Sequence, residues 1–139
     1  MITSVLSCIN QASKEIGISR GLQSAVQSLD QNIIQMVALM NVVAGECLKS
    51  EPYRTTIGDG VWIIDAVAHT PKYAATQDSD LIVIDDRIMI DGLKYRFLKA
   101  KGFEYGEELR DFLEGLNKAA AAANAELLDL DIDGGDTVQ

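Results

Sequence analysis

Apolar residues recur every three or four positions over long stretches of this chain, and that spacing commits it to helices. Ile2, Val5, Leu6, Ile9, Ala12 and Ile16 lay out a first helix over 2–16, with Gly17 as its stop. Val26, Leu29, Ile33, Met36, Met40, Val43 and Cys47 lay out a second over 24–49, in which Gly45 either weakens the last turns or marks a close helix contact. A third is expected from an Asp85 or Asp86 cap to Lys101, with Ile90, Leu93, Phe97 and Ala100 on one face. Lys99 and Lys101 suit the negative end of its dipole, and Gly102 supplies a left-handed exit. The fourth starts near Tyr105 and carries the seam Leu109, Phe112, Leu116, Ala119, Ala123 and Leu127, with small residues in 119–123 that admit a close neighbour.

Between the second and third helices the pattern changes. Pro52 closes the helical zone; "RTTI" and "VWII" flank "GDG" as a possible hairpin; 66–79 reads as loop; "LIVI" reads as a short strand or an extended entry into the next helix. Trp62 and Tyr53 fit a core or hairpin face there. After Leu128, "DLDIDGGDTVQ" reads as an exposed tail. The expected fold is therefore mainly α: a four-helix bundle with a small β-containing insertion between helices 2 and 3 and an extended acidic C-terminal arm. At 139 residues the expectation is one domain, made of a helical pair (2–50), the insertion (50–84), a second pair (85–127) and the arm (128–139).

The stretch "RIMIDGLKYRFLKAKGFEYGEELRDFLEGL", 87–116, looks at first like a helix-turn-helix that reads DNA. Its second helix would then meet the bases, yet it opens with Glu104, Glu107, Glu108 and Asp111, which repel phosphates. The net charge of −9 also opposes DNA as a ligand. Two packed helices with charged outer faces fit better. Cys8 and Cys47 sit among helical apolar positions and read as buried thiols, not a disulfide. His69 is the single histidine, with no nucleophile or carboxylate placed beside it. "DLDIDGGD" matches half of a calcium loop but lacks the twelfth-position Glu and exit helix. No phosphate loop, dinucleotide fingerprint, zinc spacing or nucleophile elbow occurs, so neither an enzyme, a cofactor nor a metal site is expected. No run of about 18 apolar residues suggests a membrane span, and "MITSVLSCINQASKEIG" lacks the basic start of a signal peptide.

The layout also resembles a known family. An N-terminal amphipathic helix ends in "EIGI"; a polar link, a long helix and an aromatic-containing insertion follow; "DDRIMIDGLKYRFLKAKGFEYGEELRDFLEGLNKAAAAANA" closes the folded part. This closing piece is similar to the end of the head–tail adaptor proteins of tailed bacteriophages, also described as head-completion or tail accessory factors. The positions that carry the likeness are Asp85, Asp86, Gly92, Lys99 to Gly102, Tyr105, Leu109, Phe112, Leu113, Glu114 and Leu116, within a likeness over 2–127. It implies a structural virion component at the head–tail interface, made in the host cytoplasm. Its partners would be the portal protein and the next tail component (a nozzle, or a tail tube or completion protein).

The likeness further implies copies closing a ring, about twelve of them, through head-to-tail contacts. DNA would be cargo in the channel that the ring completes. On that reading Arg87, Lys94 and Lys99 on one side and Glu107, Glu108 and Asp111 on the other would meet between subunits, and Leu128, Leu130, Ile132 and Val138 would dock on the portal. The alternative is a small acidic cytoplasmic regulatory module that binds another protein.

Overall fold

In the computed structural model, residues 3–18, 21–56 and 60–138 are described, with the side chains of 55, 56 and 126–138 outside that description. Four helices form the body: α1 (Val5–Glu15), α2 (Gln31–Cys47), α4 (Asp86–Ala100) and α5 (Gly106–Val138). Between α2 and α4 lie a one-turn helix, α3 (Tyr53–Thr56), and the strands β2 (Ile63–Ile64), β3 (Pro71–Lys72) and β4 (Leu81–Ile82). A first strand, β1 (Thr3–Ser4), precedes α1. The mainly helical fold with a small sheet in the insertion is the one that the apolar spacing foretold.

Local chemistry fixes most helix ends. Ser4 caps α1 by accepting from the Ser7 N–H at 3.1 Å, and Gly17 ends it at φ +79°. Asp85 caps α4 through the Arg87 and Ile88 N–H groups, and Gly102 at φ +81° turns the chain towards α5. α2 is shorter than its apolar spacing suggests, because it begins only after an Asp30 cap. The preceding turns give their donors away: the Asp78 carboxylate accepts from Ala25 N at 2.9 Å, Val26 N at 2.8 Å and Ser24 Oγ at 2.9 Å. Those bonds hold 24–26 out of the helix and leave Leu29 in water. The bonds also hold the Asp78 carboxyl below its ordinary range, against the opposing pull of partial burial.

The sheet has the order β1–β4–β2–β3, antiparallel throughout, with Thr3 opposite Ile82, Ile63 opposite Ile82 and Ile63 opposite Lys72. Two expectations about the insertion are corrected. Arg54–Thr56 of "RTTI" is helical, and its Arg54 N–H bonds the Ser50 carbonyl at 2.9 Å, extending the run of turns after α2. The hairpin partner of β2 is β3, inside the stretch read as loop, and β4 pairs along its other edge. Asp65 makes their turn by accepting from Val67 N and Ala68 N. The "GDG" turn itself falls partly on 57–59, outside the described residues. β3 escaped notice because Pro71 and Lys72 have no strand propensity. Lys72 is held by charge, with Nζ 2.8 Å from the fully buried Asp80 and 3.4 Å from Asp65. "LIVI" does contain a strand, β4.

α4 is the hub. α1, α2 and α5 all pack on it, so Ile88, Met89, Ile90, Asp91, Leu93, Tyr95 and Phe97 are buried around most of its circumference. Against it stand Val5, Cys8, Ile9 and Ala12 of α1, and Ile33, Met36, Met40, Val43 and Cys47 of α2. Both thiols are buried as expected; burial raises each pKa, for Cys47 to about 12. The close helix approach is at Gly92 of α4, since nothing lies within 4 Å of the space beside Gly45. The C-terminal arm is the continuation of α5, whose backbone stays helical through Val138 where the sequence suggests extended chain. No proline after Gly106 interrupts its backbone ladder.

Candidate functional site

Charged side chains on α4 find their partners inside the chain. Arg87 forks onto Glu15 of α1, with NH2 at 2.6 Å and NH1 at 2.8 Å, and also reaches Asp91 one turn along at 2.6 Å. Lys94 Nζ adds a bond to Glu15 at 2.9 Å. Glu46 of α2 accepts from the Tyr95 hydroxyl, at 2.5 and 2.7 Å from its two oxygens, and pairs with Arg96. These carboxylates, remote in sequence, let a helix with so many polar residues sit at the centre of the bundle.

The Glu15 cluster carries a pH signature. The Arg87 bond, opposed by partial burial and reinforced by Lys94 and Gln11, lowers the Glu15 pKa from 4.5 to about 2. A depressed carboxyl pKa stabilises the fold above the unfolded value and loses that contribution as pH falls through the folded one. The loss therefore runs from about pH 4.5 down to about 2. Arg87 is half exposed, so solvent screening keeps the contribution near 1 kcal/mol. Other depressed carboxyls, Asp65, Asp78 and Asp80, share the acid loss. The Glu15 part is expected as the difference between melts of the wild type and Glu15→Gln, narrowing over that window as pH falls.

Beside this cluster an open groove of about 820 Å³ runs between α3, the start of α4 and the middle of α5. Its construction follows from two contacts. Tyr53 of α3 is pinned to the start of α4, its hydroxyl oxygen accepting from the Asp85 N–H at 3.1 Å. Burial, first of all, raises the Tyr53 pKa, so the phenol stays neutral. At the other wall α5 presses onto α4, where a Cβ on Gly115 would stand 3.2 Å from Ile88 Cγ1. Beyond that point the α5 residues facing the groove are small: Ala119, Ala122 and Ala123. Four carboxylates line it, those of Asp85, Asp91, Asp111 and Glu114, against two cations, Arg87 and Lys118.

Of the six charged residues expected at subunit contacts, the groove takes Arg87 and Asp111. Arg87 and Lys94 are engaged with Glu15 and Asp91, whereas Lys99, also exposed, stands with its Nζ 5.7 Å from the Tyr105 ring centroid. Glu107 is exposed and Glu108 half-buried on the first turn of α5. Leu128, Leu130, Ile132 and Val138 have side chains outside the described residues. His69 sits exposed at φ +57° in the β2–β3 turn. Trp62 is buried, with Nε1 donating to the Tyr73 carbonyl at 2.8 Å. The groove was invisible in the sequence because Tyr53, Asp85 and Glu114 come from three separated elements, each with an ordinary local role as turn aromatic, cap or helix-start acid.

The groove thus presents a neutral phenol, four carboxylates and a paired guanidinium around the small side chains of α5. Among the described residues no helix is long and apolar enough to cross a membrane. Compared with family models, curated proteins and solved structures, the chain has no match.

Proposed function

We propose that this chain is a structural, non-enzymatic virion component: a head–tail adaptor whose copies close a ring between portal and tail and complete the DNA channel. The observation that carries the reading is the unit formed by α4, its Gly102 corner and α5. Of the residues of the family resemblance, Asp85 caps α4, Gly102 turns the corner, and Gly92, Phe112 and Leu116 pack at the α4–α5 contact. A rigid hub of this kind suits a subunit that must keep its shape inside a ring.

A second feature supports assembly. α2 bears no charge from Gln31 to Gly45, yet its outer side leaves Ile34 and Val42 each 43% exposed. An uncharged face on a bundle of net charge −9 is suited to meeting a neighbour. Lys99 and Glu107 remain as exposed residues of opposite sign for the same contacts. The second reading, a small acidic module that binds another protein, is favoured by the acidic groove.

Co-expression with the portal protein of the same phage, followed by negative-stain imaging, tests the proposal. A ring of this chain stacked under the portal is the expected result. A monomer or dimer that ignores the portal would favour the second reading. Deleting 128–139 should weaken portal capture; undiminished capture removes the arm from that role while leaving the ring itself open to imaging.

A further inference from the structure

We infer that the groove between α3, α4 and α5 docks a basic amphipathic helix of a partner protein; the inference stands on the groove alone, whether or not copies of the chain form a ring. The first argument is shape. The α5 wall extends from Asp111 to Ala123, roughly 18 Å at 1.5 Å per residue, or about three turns of a facing helix. Along it Gly115, Ala119, Ala122 and Ala123 present almost no side chain, so a second helix backbone can lie close. Tyr53 and Ile88, both nearly buried, close the groove on its other side as an apolar floor. Both walls are helical, and helices receive helices by fitting ridges into grooves.

The second argument is charge. Asp85 and Asp91 already have work: one caps α4, the other pairs with Arg87. Asp111 and Glu114 are one turn apart on α5, and no ion pair holds either among the described residues. Of the two cations in the lining, Arg87 is committed to Glu15 and Asp91, and Lys118 stands one turn along α5 from Glu114 with no ion pair to it among the described residues. What the groove offers an incoming segment is therefore an apolar floor under two available carboxylates, inside a chain of net charge −9. That field attracts cations over a Debye length and disfavours an acidic segment in the groove. A helix with two Lys or Arg residues one turn apart, and an apolar residue between groove floor and partner core, satisfies both features. Lys118, one turn along α5 from Glu114, favours an acidic residue of the incoming helix at that level.

The test uses the full chain and two synthetic helical peptides of identical leucine pattern, one with lysine and one with glutamate on the polar face. Fluorescence anisotropy is read at low and raised salt. The lysine peptide should bind, more weakly as salt rises, and the glutamate peptide should not. Glu114→Lys should weaken binding about tenfold or more, whereas Glu104→Lys, an exposed charge reversal at the α4–α5 corner, should change it by less than about threefold. Ala122→Trp, a substitution at an exposed position that fills the groove, should abolish it. Melting curves confirm that each variant is folded, and Asp111→Lys serves as a second groove variant. Equal losses from Glu104→Lys and Glu114→Lys would reduce the effect to general charge attraction and overturn the inference. So would undiminished binding by Ala122→Trp, no binding at all, or a dimer in light scattering that Ala122→Trp dissolves, which would give the groove to a second copy.

Discussion

Replacing Phe112 with alanine should lower the folding free energy by about 3–5 kcal/mol. The ring is 1% exposed. It packs on Tyr95 of α4 with centroids 5.3 Å apart and faces the bare backbone of Gly92. The two neighbours cannot both relax into the space it leaves: Tyr95 is tethered through its hydroxyl to Glu46, and Gly92 has no side chain to swing in. The cavity term should therefore lie towards the upper end of the range. Against a total of about 5–15 kcal/mol for a domain of this kind, that is a large fraction. Urea melts should show the midpoint falling at nearly constant slope. Because Phe112 is the principal large residue that α5 buries against α4, amide exchange should rise first along α5. A loss below about 1 kcal/mol would mean that α5 does not pack on α4 in this way.

What the sequence made legible was whatever neighbouring residues decide among themselves. The Asp85 cap, the Gly17 and Gly102 exits and the buried stripe Ile33, Met36, Met40, Val43, Cys47 each depend on residues within a few turns, and all are where the spacing puts them. What escaped was set by distant groups. α2 starts late because a carboxylate more than fifty positions along, Asp78, takes the N–H groups of Ala25 and Val26. β3 exists because Lys72 answers Asp80 across a turn, not because its residues favour strands. The spacing in α4 marked one apolar face, Ile90, Leu93, Phe97 and Ala100, and a basic side with Arg87, Lys94 and Lys99. In fact Glu15 and Glu46 supply partners from other helices, and the helix is buried as the hub. The groove was hidden for the same reason: its walls meet only in three dimensions, and Asp85, Asp111 and Glu114 each have a sufficient local explanation as caps or helix-start acids.

Gly92→Ala is the sharper test of that hub, because local and tertiary physics predict opposite signs. In an isolated helix the change should stabilise by about 1 kcal/mol, since glycine is the poorer helix former. In the bundle the new Cβ would lie 2.4 Å from Val43 Cγ1, inside any tolerable contact, and 3.0 Å from Phe112 Cε1, a tight one. Val43 on α2 and Phe112 on α5 are both fully buried, so neither can withdraw without moving its own helix. Overpacking of this kind costs about 1–3 kcal/mol, and here two helices are pushed at once. With two helices pushed, the cost lies towards the upper end, and the net expectation is destabilisation by about 2 kcal/mol after the propensity gain of about 1 kcal/mol is subtracted. The cause can be isolated with a second substitution. Val43→Ala alone opens a cavity, but combined with Gly92→Ala it frees the space that the new methyl needs. The double variant should then be more stable than the sum of the singles by about 1 kcal/mol or more. Strict additivity would place the damage elsewhere than the α2–α4 contact. A Gly92→Ala protein more stable than wild type would show that α4 is not clasped between α2 and α5, and with that the rigid hub required of a ring subunit would be lost.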